Sequence, residues 1–561
     1  MTNRSRIDFL LLAGFCAFFF FYGSAQFGLI GADEPRYAQV SREMLEHHDW
    51  ITPTLGGQPW LEKPPLYYWQ AILAYKIFGV SDWAARLPPA FDASFLVFAV
   101  YFFLGRFGSR SGSGAALDGA LVVASCAGVI GYARAASTDM PLAAAFGIAM
   151  LAWWSWRESG KRIYLALFFF LIALGTLAKG PVAPFLAVVV IVLYAFSARE
   201  LRLVLKTFWP PGILLFCAVA LPWYFAVQVR NPQFFHEFIL EQNLGRFSHN
   251  IYHHVQPFWY YPLVTTLAVI PWTVFVIAAF IRMSQNWWSN RKTPAESREK
   301  TEKRVGGIKK DEQIQAIDPQ FCLFACCWLI VPIMFFSASA SKLPGYILPA
   351  IPAAGLLVAI YLLKNLQAQE RSAKMLSLLH AMVATAPLVP ALLIAYLITQ
   401  HRLPCGRPLV GAIAIAALLC VAIAFTLLRK NGFRLLRLVT LIPVVLSVAA
   451  VLKLGSATID QTMSARPLAQ ELAGIETHPL PLAVYHVRRE LEYGLTFYRN
   501  QLTINYAWGR IPPEDHLLVA PEGSQLEIAK LVPGRRVSFL GEYQPQHLDY
   551  FWISAATNSS P

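Results

Sequence analysis

Long apolar runs recur along the chain and dominate its pattern from residue 8 to about residue 453. A helix needs about 20 such residues to cross a hydrocarbon core about 30 Å thick. Because lipid offers no hydrogen-bond partner to a bare backbone, runs of this kind must be helices and not open sheets. The pattern predicts thirteen membrane-spanning helices, at residues 8–30, 83–104, 115–133, 140–156, 163–178, 181–197, 210–228, 258–281, 321–337, 347–363, 378–399, 408–428 and 438–453.

The break at Lys179-Gly180-Pro181 decides the topology, because it is either a turn between two spans or a kink in one buried helix. With a turn, 26 of the 47 lysines and arginines lie in short segments on one side of the membrane. That is the charge bias expected of cytoplasmic loops. The sequence therefore predicts a turn, a cytoplasmic amino terminus and an external carboxyl terminus. The run from Phe9 to Ile30 is too long for a signal-peptide core, so we expect it to remain as the first span.

Composition agrees with a membrane protein, since 56% of the 561 residues are hydrophobic and only 14% are charged. The net charge of +14 is spread between apolar runs and not along one amphipathic face, which argues against a nucleic-acid partner. The eight cysteines are scattered and indicate neither a disulfide framework nor a metal knuckle.

The chain divides into two expected domains. Residues 1–455 form an α-helical membrane domain with a large outer loop at 31–82 and a basic cytoplasmic loop at 282–320. Residues 456–561 form a small external α/β domain, here called the tail, with strands predicted at Leu482 to Val487, His516 to Ala520 and Val537 to Tyr543. A helix is predicted from Arg488 to Tyr498. The role of the tail is either structural or substrate-gating.

The outer loop 31–82 holds the first candidate chemistry. An amphipathic helix predicted at residues 36–50 suits the boundary between water and lipid. Asp33 stands before it, and a carboxylate at the mouth of a membrane helix is costly unless it is solvated or paired. Asp33 is therefore either a functional group or the cap of that helix, with Glu34 favouring the helix's positive end.

Further polar segments share the outer side. They contain Asp139, a His253-His254 pair in an aromatic stretch, Lys342 and Tyr346 in one segment, and the basic turn from His401 to Arg407. Lysine and arginine bind phosphate oxygens, aromatic rings line apolar channels, and a carboxylate can orient or deprotonate an acceptor. The set suits a phosphate-bearing lipid substrate. The histidines are either a metal ligand or solvated interface residues, and Lys342 is either functional or a snorkelling lysine.

The motifs in order resemble the bacterial aminoarabinose transferases of lipid A (ArnT), within the GT-C superfamily that also contains protein O-mannosyltransferases. The resemblance extends along nearly the whole chain. Its residues are Asp33-Glu34-Pro35-Arg36-Tyr37, Leu61 to Tyr68, Ser137-Thr138-Asp139, His254 to Tyr260, and Lys342 to Tyr346.

The resemblance implies an inverting glycosyltransferase that takes a sugar from undecaprenyl phosphate on the periplasmic side of the bacterial inner membrane. The sugar is 4-amino-4-deoxy-L-arabinose, the acceptor is lipid A or a similar lipid, and no nucleotide takes part. Asp33 and Asp139 match the catalytic carboxylates, and Arg36, Lys63, Tyr346 and Lys342 match carrier-phosphate contacts. Glu62 and His254 match ligands of a divalent ion, expected to be zinc. A monomer is expected.

Two alternatives stay open. A related transferase could move mannose or another sugar to a protein or glycan, because nothing in the sequence fixes the sugar. A transporter or flippase would also have many spans, but it should carry charges near the bilayer midplane, whereas these crowd at one face. The role of Asp33 depends on the acceptor: it is a general base for a hydroxyl and an orienting group for an ionised phosphate.

Overall fold

The computed structural model describes residues 3–107, 114–245, 256–292, 319–367, 374–400, 404, 406–429 and 432–555. Within these ranges, eight helices are long and apolar enough to cross a membrane, or up to ten if each of two bent pairs counts as one span. The fold is therefore helical and polytopic. The helices bury one continuous apolar core, which includes Trp153, Trp154 and Trp328.

Every predicted span corresponds to at least one helix. The α-helices of the membrane region are Asn3–Cys16, Asp82–Phe107, Gly114–Ala124, Ala127–Ala133, Asp139–Ser159, Arg162–Lys179, Val182–Ala198, Arg202–Thr207, Pro210–Arg230, Tyr260–Ala268, Thr273–Lys292, Pro319–Ala338, Ile351–Gln367, Lys374–Thr385, Leu388–Gln400, Arg407–Leu428 and Gly432–Ala450. Short π or 3₁₀ segments are Ala17–Phe21, Phe235–Gly245, Pro344–Ala350 and Val451–Gly455.

The predicted turn at Lys179 is present. One helix ends at Lys179, Gly180 has a φ of +88°, and the next helix begins at Val182. Glycine suits this position because a side chain is strained at a positive φ.

The prediction of one helix over residues 258–281 was wrong. Two helices meet there at 118°. Pro271 lies at the break and cannot donate a backbone hydrogen bond, so a continuous helix would lose one of its ladder bonds. The turn is fixed by Trp272, whose indole donates to Ser125 Oγ at 2.8 Å, and by the Ala127 N–H, which donates to the Ile270 carbonyl at 2.8 Å.

The outer loop contains two helices, Asp33–Glu46 and Leu66–Phe78, and a short hairpin of β1 (Thr54–Leu55) and β2 (Gln58–Pro59). Asp33–Glu46, here called the loop helix, starts three residues before the predicted position. Ten of its residues are buried, from Glu34 to Met44. Protein therefore encloses the loop helix on nearly every side, which its amphipathic pattern did not predict.

The tail contains a five-stranded mixed sheet and four helices. The strands are β3 (Leu482–Val484), β4 (Ile504–Asn505), β5 (His516–Pro521), β6 (Val537–Tyr543) and β7 (Leu548–Ile553), in the spatial order β4-β3-β5-β7-β6. The helices are Ser456–Met463, Arg466–Ile475, Arg489–Arg499 and Gln525–Leu531. β3 pairs in parallel with β4 and β5, and β7 pairs antiparallel with β5 and β6. The sequence pattern indicated β3, β5, β6 and the helix at 489–499, but not β4 or β7.

Candidate active site

Asp33 and Arg36 form an ion pair across the first turn of the loop helix. The helix places them together because residues three apart lie on the same face. Ala32 occupies the N-cap position and Asp33 is the first residue of the helix, so the capping interpretation does not describe Asp33. The Asp33 side chain is 47% exposed and that of Arg36 only 13%. The carboxylate therefore faces an open space while the guanidinium is held inside.

Arg36 lies among aromatic rings. Its guanidinium carbon is 5.0 Å from the ring centroid of Tyr37, 5.1 Å from that of Trp60 and 5.7 Å from that of Tyr493. Such distances give cation–π attraction. Burial alone would lower the pKa of Arg36, but the influence of Tyr37, Asp33 and Glu62 raises it above its ordinary value. Arg36 is thus a permanent cation beside the exposed carboxylate.

Glu34, the next residue, has a different environment. Its carboxylate is bound by Arg86 through two hydrogen bonds, Nε to Oε1 at 3.0 Å and Nη2 to Oε2 at 2.7 Å. The remaining three donors of Arg86 bind the backbone carbonyls of Ser24, Phe27 and Gly28, each at 2.8 Å. Both side chains are almost fully buried. A buried ion pair needs such complete hydrogen bonding to offset desolvation.

Glu34 also joins two sequence motifs. It accepts a hydrogen bond from the Ile30 N–H at 2.8 Å and from the Ala136 N–H at 2.7 Å. Ala136 lies three residues before Asp139, and Asp139 is the first residue of a membrane helix. The segment before Asp33 and the segment before Asp139 are therefore fixed to the same carboxylate, and Glu34 organises the site without facing its open side.

Asp139 forms an ion pair with Lys179, and the Lys179 ammonium lies 4.5 Å from the ring centroid of Tyr346. Gly345 allows this arrangement. A Cβ there would lie 2.7 Å from the Asp139 Cγ and 2.8 Å from Tyr132 Cε1. Only glycine permits so close an approach. The segment Lys342 to Tyr346 therefore packs directly against Asp139.

Tyr132 lies beside Asp139, because a Cβ on Gly345 would approach both side chains. Asp33 comes from a different segment, which Glu34 links to the start of the Asp139 helix. The two ion pairs therefore lie on segments that one buried carboxylate holds together. Arg134, two residues after Tyr132, donates to the Phe19 carbonyl at 3.2 Å, and burial lowers its pKa to about 10.

The other predicted residues occupy different positions. Lys342 is buried and its ammonium donates to the Ser339 carbonyl at 2.6 Å, so it does not snorkel to a surface. Glu62 lies close enough to influence Arg36 and lines a cavity of about 380 Å³ that also includes His236, Glu237 and Glu241. Lys63 follows Glu62 and is half-buried. His254 lies outside the described residues.

Sequence reasoning missed Arg86 and Lys179 as parts of the site. Arg86 lies inside a predicted apolar span, and a charge in such a place is itself a signal for a buried partner. Lys179 was considered only as part of a turn. Tyr493 had no signal, because nothing in the sequence of the tail indicates which side chain meets the loop helix.

Known proteins share this architecture. A family model described as dolichyl-phosphate-mannose-protein mannosyltransferase matches residues 7–238. An undecaprenyl phosphate-α-4-amino-4-deoxy-L-arabinose arabinosyl transferase of Aeromonas hydrophila is 29% identical over 463 residues, covering 81% of this chain and 78% of that protein. A transferase of the same name from Pseudomonas aeruginosa is 27% identical, covering 65% and 61% of the two chains.

Solved structures agree on the fold. The crystal structure of ArnT from Cupriavidus metallidurans bound to undecaprenyl phosphate matches with a TM-score of 0.74 and 20% identity, covering 98% of this chain and 99% of that one. Its apo state matches with a TM-score of 0.72. The chain is therefore similar over most of its length to aminoarabinosyl transferases, and it shares the fold of the ArnT crystal structures.

Proposed function

We propose that this protein is an integral membrane glycosyltransferase that moves 4-amino-4-deoxy-L-arabinose from undecaprenyl phosphate to lipid A or a related periplasmic acceptor. The names of its relatives give the donor, and the resemblance gives the acceptor. One observation carries the proposal: the buried Glu34 carboxylate fixes together the segments that bear two carboxylate–cation pairs, Asp33–Arg36 and Asp139–Lys179. This arrangement suits a lipid phosphate that leaves from a sugar carbon.

The cations act on the leaving group. When the bond between the anomeric carbon and the carrier oxygen breaks, negative charge grows on the carrier phosphate. A cation already aimed at that phosphate stabilises the transition state more than the ground state. Arg36, whose guanidinium lies among three aromatic rings, is the first candidate for this contact, and Lys63 and Tyr346 are further candidates by resemblance. Lys342, which donates to a backbone carbonyl, would have to turn from Ser339 to join them.

Asp33 is the candidate for the acceptor side. Its carboxylate is the most exposed member of the two pairs. It would take the proton from an acceptor hydroxyl, or orient the acceptor or the sugar amine if the acceptor is an ionised phosphate. Attack on the face opposite the departing phosphate inverts the anomeric carbon. Asp139, paired with Lys179, would hold the sugar or the cation in place.

By resemblance, Glu62 and His254 would be the ligands of a divalent ion, expected to be zinc. A carboxylate and an imidazole have the right donor chemistry for zinc. Among the described residues no group of three or more His, Cys, Asp or Glu side chains could hold a metal ion. Of the two proposed ligands, Glu62 is described and His254 is not. The steps above use only side chains of the chain.

The topology completes the proposal. We infer thirteen spans, a cytoplasmic amino terminus and a periplasmic tail at residues 456–561, in a bacterial inner membrane. This agrees with the positive charges on one side and with the candidate site on the other. Single cysteines placed in the tail should react with a membrane-impermeant maleimide in intact spheroplasts, and protection of the tail would overturn the orientation.

The transfer itself is tested with purified protein, undecaprenyl phosphate-linked aminoarabinose and lipid A, followed by mass spectrometry of the product. We expect addition of one aminoarabinose residue. A second candidate, transfer of mannose to a protein or glycan, is supported by the mannosyltransferase model over residues 7–238. A product from the mannosyl carrier but not from the aminoarabinosyl carrier would favour that candidate and overturn the first.

A further inference from the structure

The tail is fixed to the loop helix through its helix Arg489–Arg499, here called the docking helix. Arg42 of the loop helix is buried and donates to the Phe497 carbonyl at 2.7 Å and to Asn500 Oδ1 at 3.0 Å. Its guanidinium carbon also lies 4.3 Å from the Phe497 ring centroid. A buried arginine whose polar partners come from the tail makes the contact specific, because removal of those partners would leave a charge uncompensated.

A second anchor holds the segment just before Asp33. Arg466 of the tail donates to Asp82 Oδ2 at 2.9 Å and to Asp460 Oδ2 at 2.7 Å. Tyr498 of the docking helix accepts from the Leu29 N–H at 2.7 Å. Gly28 is in close contact here, since a Cβ would lie 2.4 Å from the Tyr498 hydroxyl oxygen. The tail therefore contacts the chain on both sides of Asp33, at Leu29 before it and at Arg42 after it.

Between these anchors, Tyr493 reaches Arg36. Tyr493 is one helical turn before Phe497, so it lies on the same face of the docking helix. Its ring completes the group of three aromatic rings around the Arg36 guanidinium, at 5.7 Å from the guanidinium carbon. Tyr37 and Trp60 come from the outer loop, which means that the tail supplies the third ring.

We propose that Tyr493 is a positioning residue for Arg36, so that the tail completes the carrier-phosphate site. This inference rests on the proposed function, in which Arg36 contacts the lipid phosphate. An arginine side chain loses rotamer freedom when it is fixed, and rings that already confine it reduce the further loss on phosphate binding. A cation–π contact contributes about 0.5–2 kcal/mol, which is a factor of roughly 2 to 30 in binding.

The test compares Tyr493→Leu with Tyr493→Phe and Tyr493→Trp in the full-length protein. We expect Tyr493→Leu to raise the KM for the lipid-linked donor by about 2- to 30-fold, since the ring holds the cation that binds the carrier phosphate. Tyr493→Phe and Tyr493→Trp keep a ring and should stay near the native KM. Equal losses in the Phe and Leu variants would overturn a role for the ring.

Tyr485→Leu is the matched control. Tyr485 is another half-buried tail tyrosine, and its hydroxyl donates to Glu527 within the tail at 3.4 Å. We expect the Tyr485→Leu variant to have the same KM for the lipid-linked donor as the native protein. Thermal unfolding of each variant separates a folding defect from a site defect: the proposal requires Tyr493→Leu to raise KM at an unfolding temperature equal to that of Tyr485→Leu.

A double-mutant cycle tests the route through Arg36. Binding of undecaprenyl phosphate in detergent micelles is measured for the native protein, Arg36→Gln, Tyr493→Leu and the double variant. If Tyr493 acts through Arg36, Tyr493→Leu should weaken binding in the native background and have no further effect on Arg36→Gln. Additive losses would overturn the inference. Because this binding needs no sugar, the cycle can succeed even if aminoarabinose transfer fails, which keeps the two proposals distinguishable.

Discussion

Two adjacent carboxylates, Asp33 and Glu34, have opposite environments. Glu34 is 7% exposed, is bound to Arg86 and has two backbone donors besides. The Asp33 side chain is 47% exposed and is paired with Arg36, which itself lies among three aromatic rings. The Glu34 carboxylate has used its hydrogen-bonding capacity inside the protein. The Asp33 carboxylate keeps capacity for a ligand. The comparison separates a residue that builds the site from one that can act in it.

The largest expected effect follows from the exposed carboxylate. Asp33→Asn should reduce sugar transfer by about 10²- to 10⁴-fold, because the amide cannot accept a proton or bind a cation as a carboxylate does. The unfolding temperature should change little, since the side chain is half exposed. Transfer is followed by mass spectrometry of the lipid product. Native turnover in this variant would remove Asp33 from the mechanism.

The buried carboxylate should show the reverse. Glu34→Gln leaves the Arg86 charge buried without its counter-charge, a change that typically costs about 3–5 kcal/mol. We expect a large fall in unfolding temperature and in yield of folded protein, with activity lost in proportion to folding. The matched control is Asp33→Asn, which changes the adjacent residue in the same chemical way. If Glu34→Gln folded like the control, the structural role of the pair would be wrong.

The same contrast shows which features of the fold and of the candidate site could be predicted from the sequence. Hydropathy located the helices because lipid forces every exposed backbone group into a helix. The order of the motifs indicated Asp33, Arg36, Asp139 and Tyr346 through the resemblance. The Arg86 pairing was not accessible, since the two partners are 52 residues apart and only packing brings them together.

The other differences between the sequence predictions and the structure have similar causes. The break at Pro271 depends on Trp272 reaching Ser125, a contact between distant segments that hydropathy does not contain. The aromatic group around Arg36 requires Tyr493, from a tail whose position no local pattern fixes. Sequence therefore predicts elements and candidate chemistry, while partners across the fold come only from the three-dimensional arrangement.

Asp139–Lys179 is intermediate between the two extremes, with side chains 14% and 12% exposed. Lys179→Met should therefore lower both stability and activity: we expect kcat/KM to fall about 10- to 100-fold as Asp139 loses the cation that orients it, together with a moderate fall in unfolding temperature. Lys179→Arg keeps the charge and should retain more activity. If Lys179→Met and Lys179→Arg were equally impaired, the shape of the side chain and not its charge would matter.

The smallest expected effect concerns His516, a fully buried histidine of the tail. Burial lowers the pKa of His516 in the tail, whose ring lies against the Tyr506 hydroxyl and the Glu514 carbonyl. The folded state therefore holds the neutral imidazole, whereas the unfolded chain protonates below about pH 6.5. This contribution to stability is complete above that pH and is lost as the pH falls towards the lowered value. Unlike Glu34, which is bound to a buried arginine, His516 is bound by a hydroxyl and a backbone carbonyl.

The measurement compares the unfolding temperature of the native protein with that of His516→Gln at pH 7.5 and pH 5.5. We expect the variant to be less stable at pH 7.5, because it loses the packing of the ring, and the difference to narrow at pH 5.5, because only the native chain carries the histidine penalty. A constant difference at the two pH values would mean that His516 does not titrate between the folded and unfolded states. Narrowing would show that burial favours the neutral form of His516 in the folded state, whereas the buried Glu34 carboxylate has Arg86 as its partner.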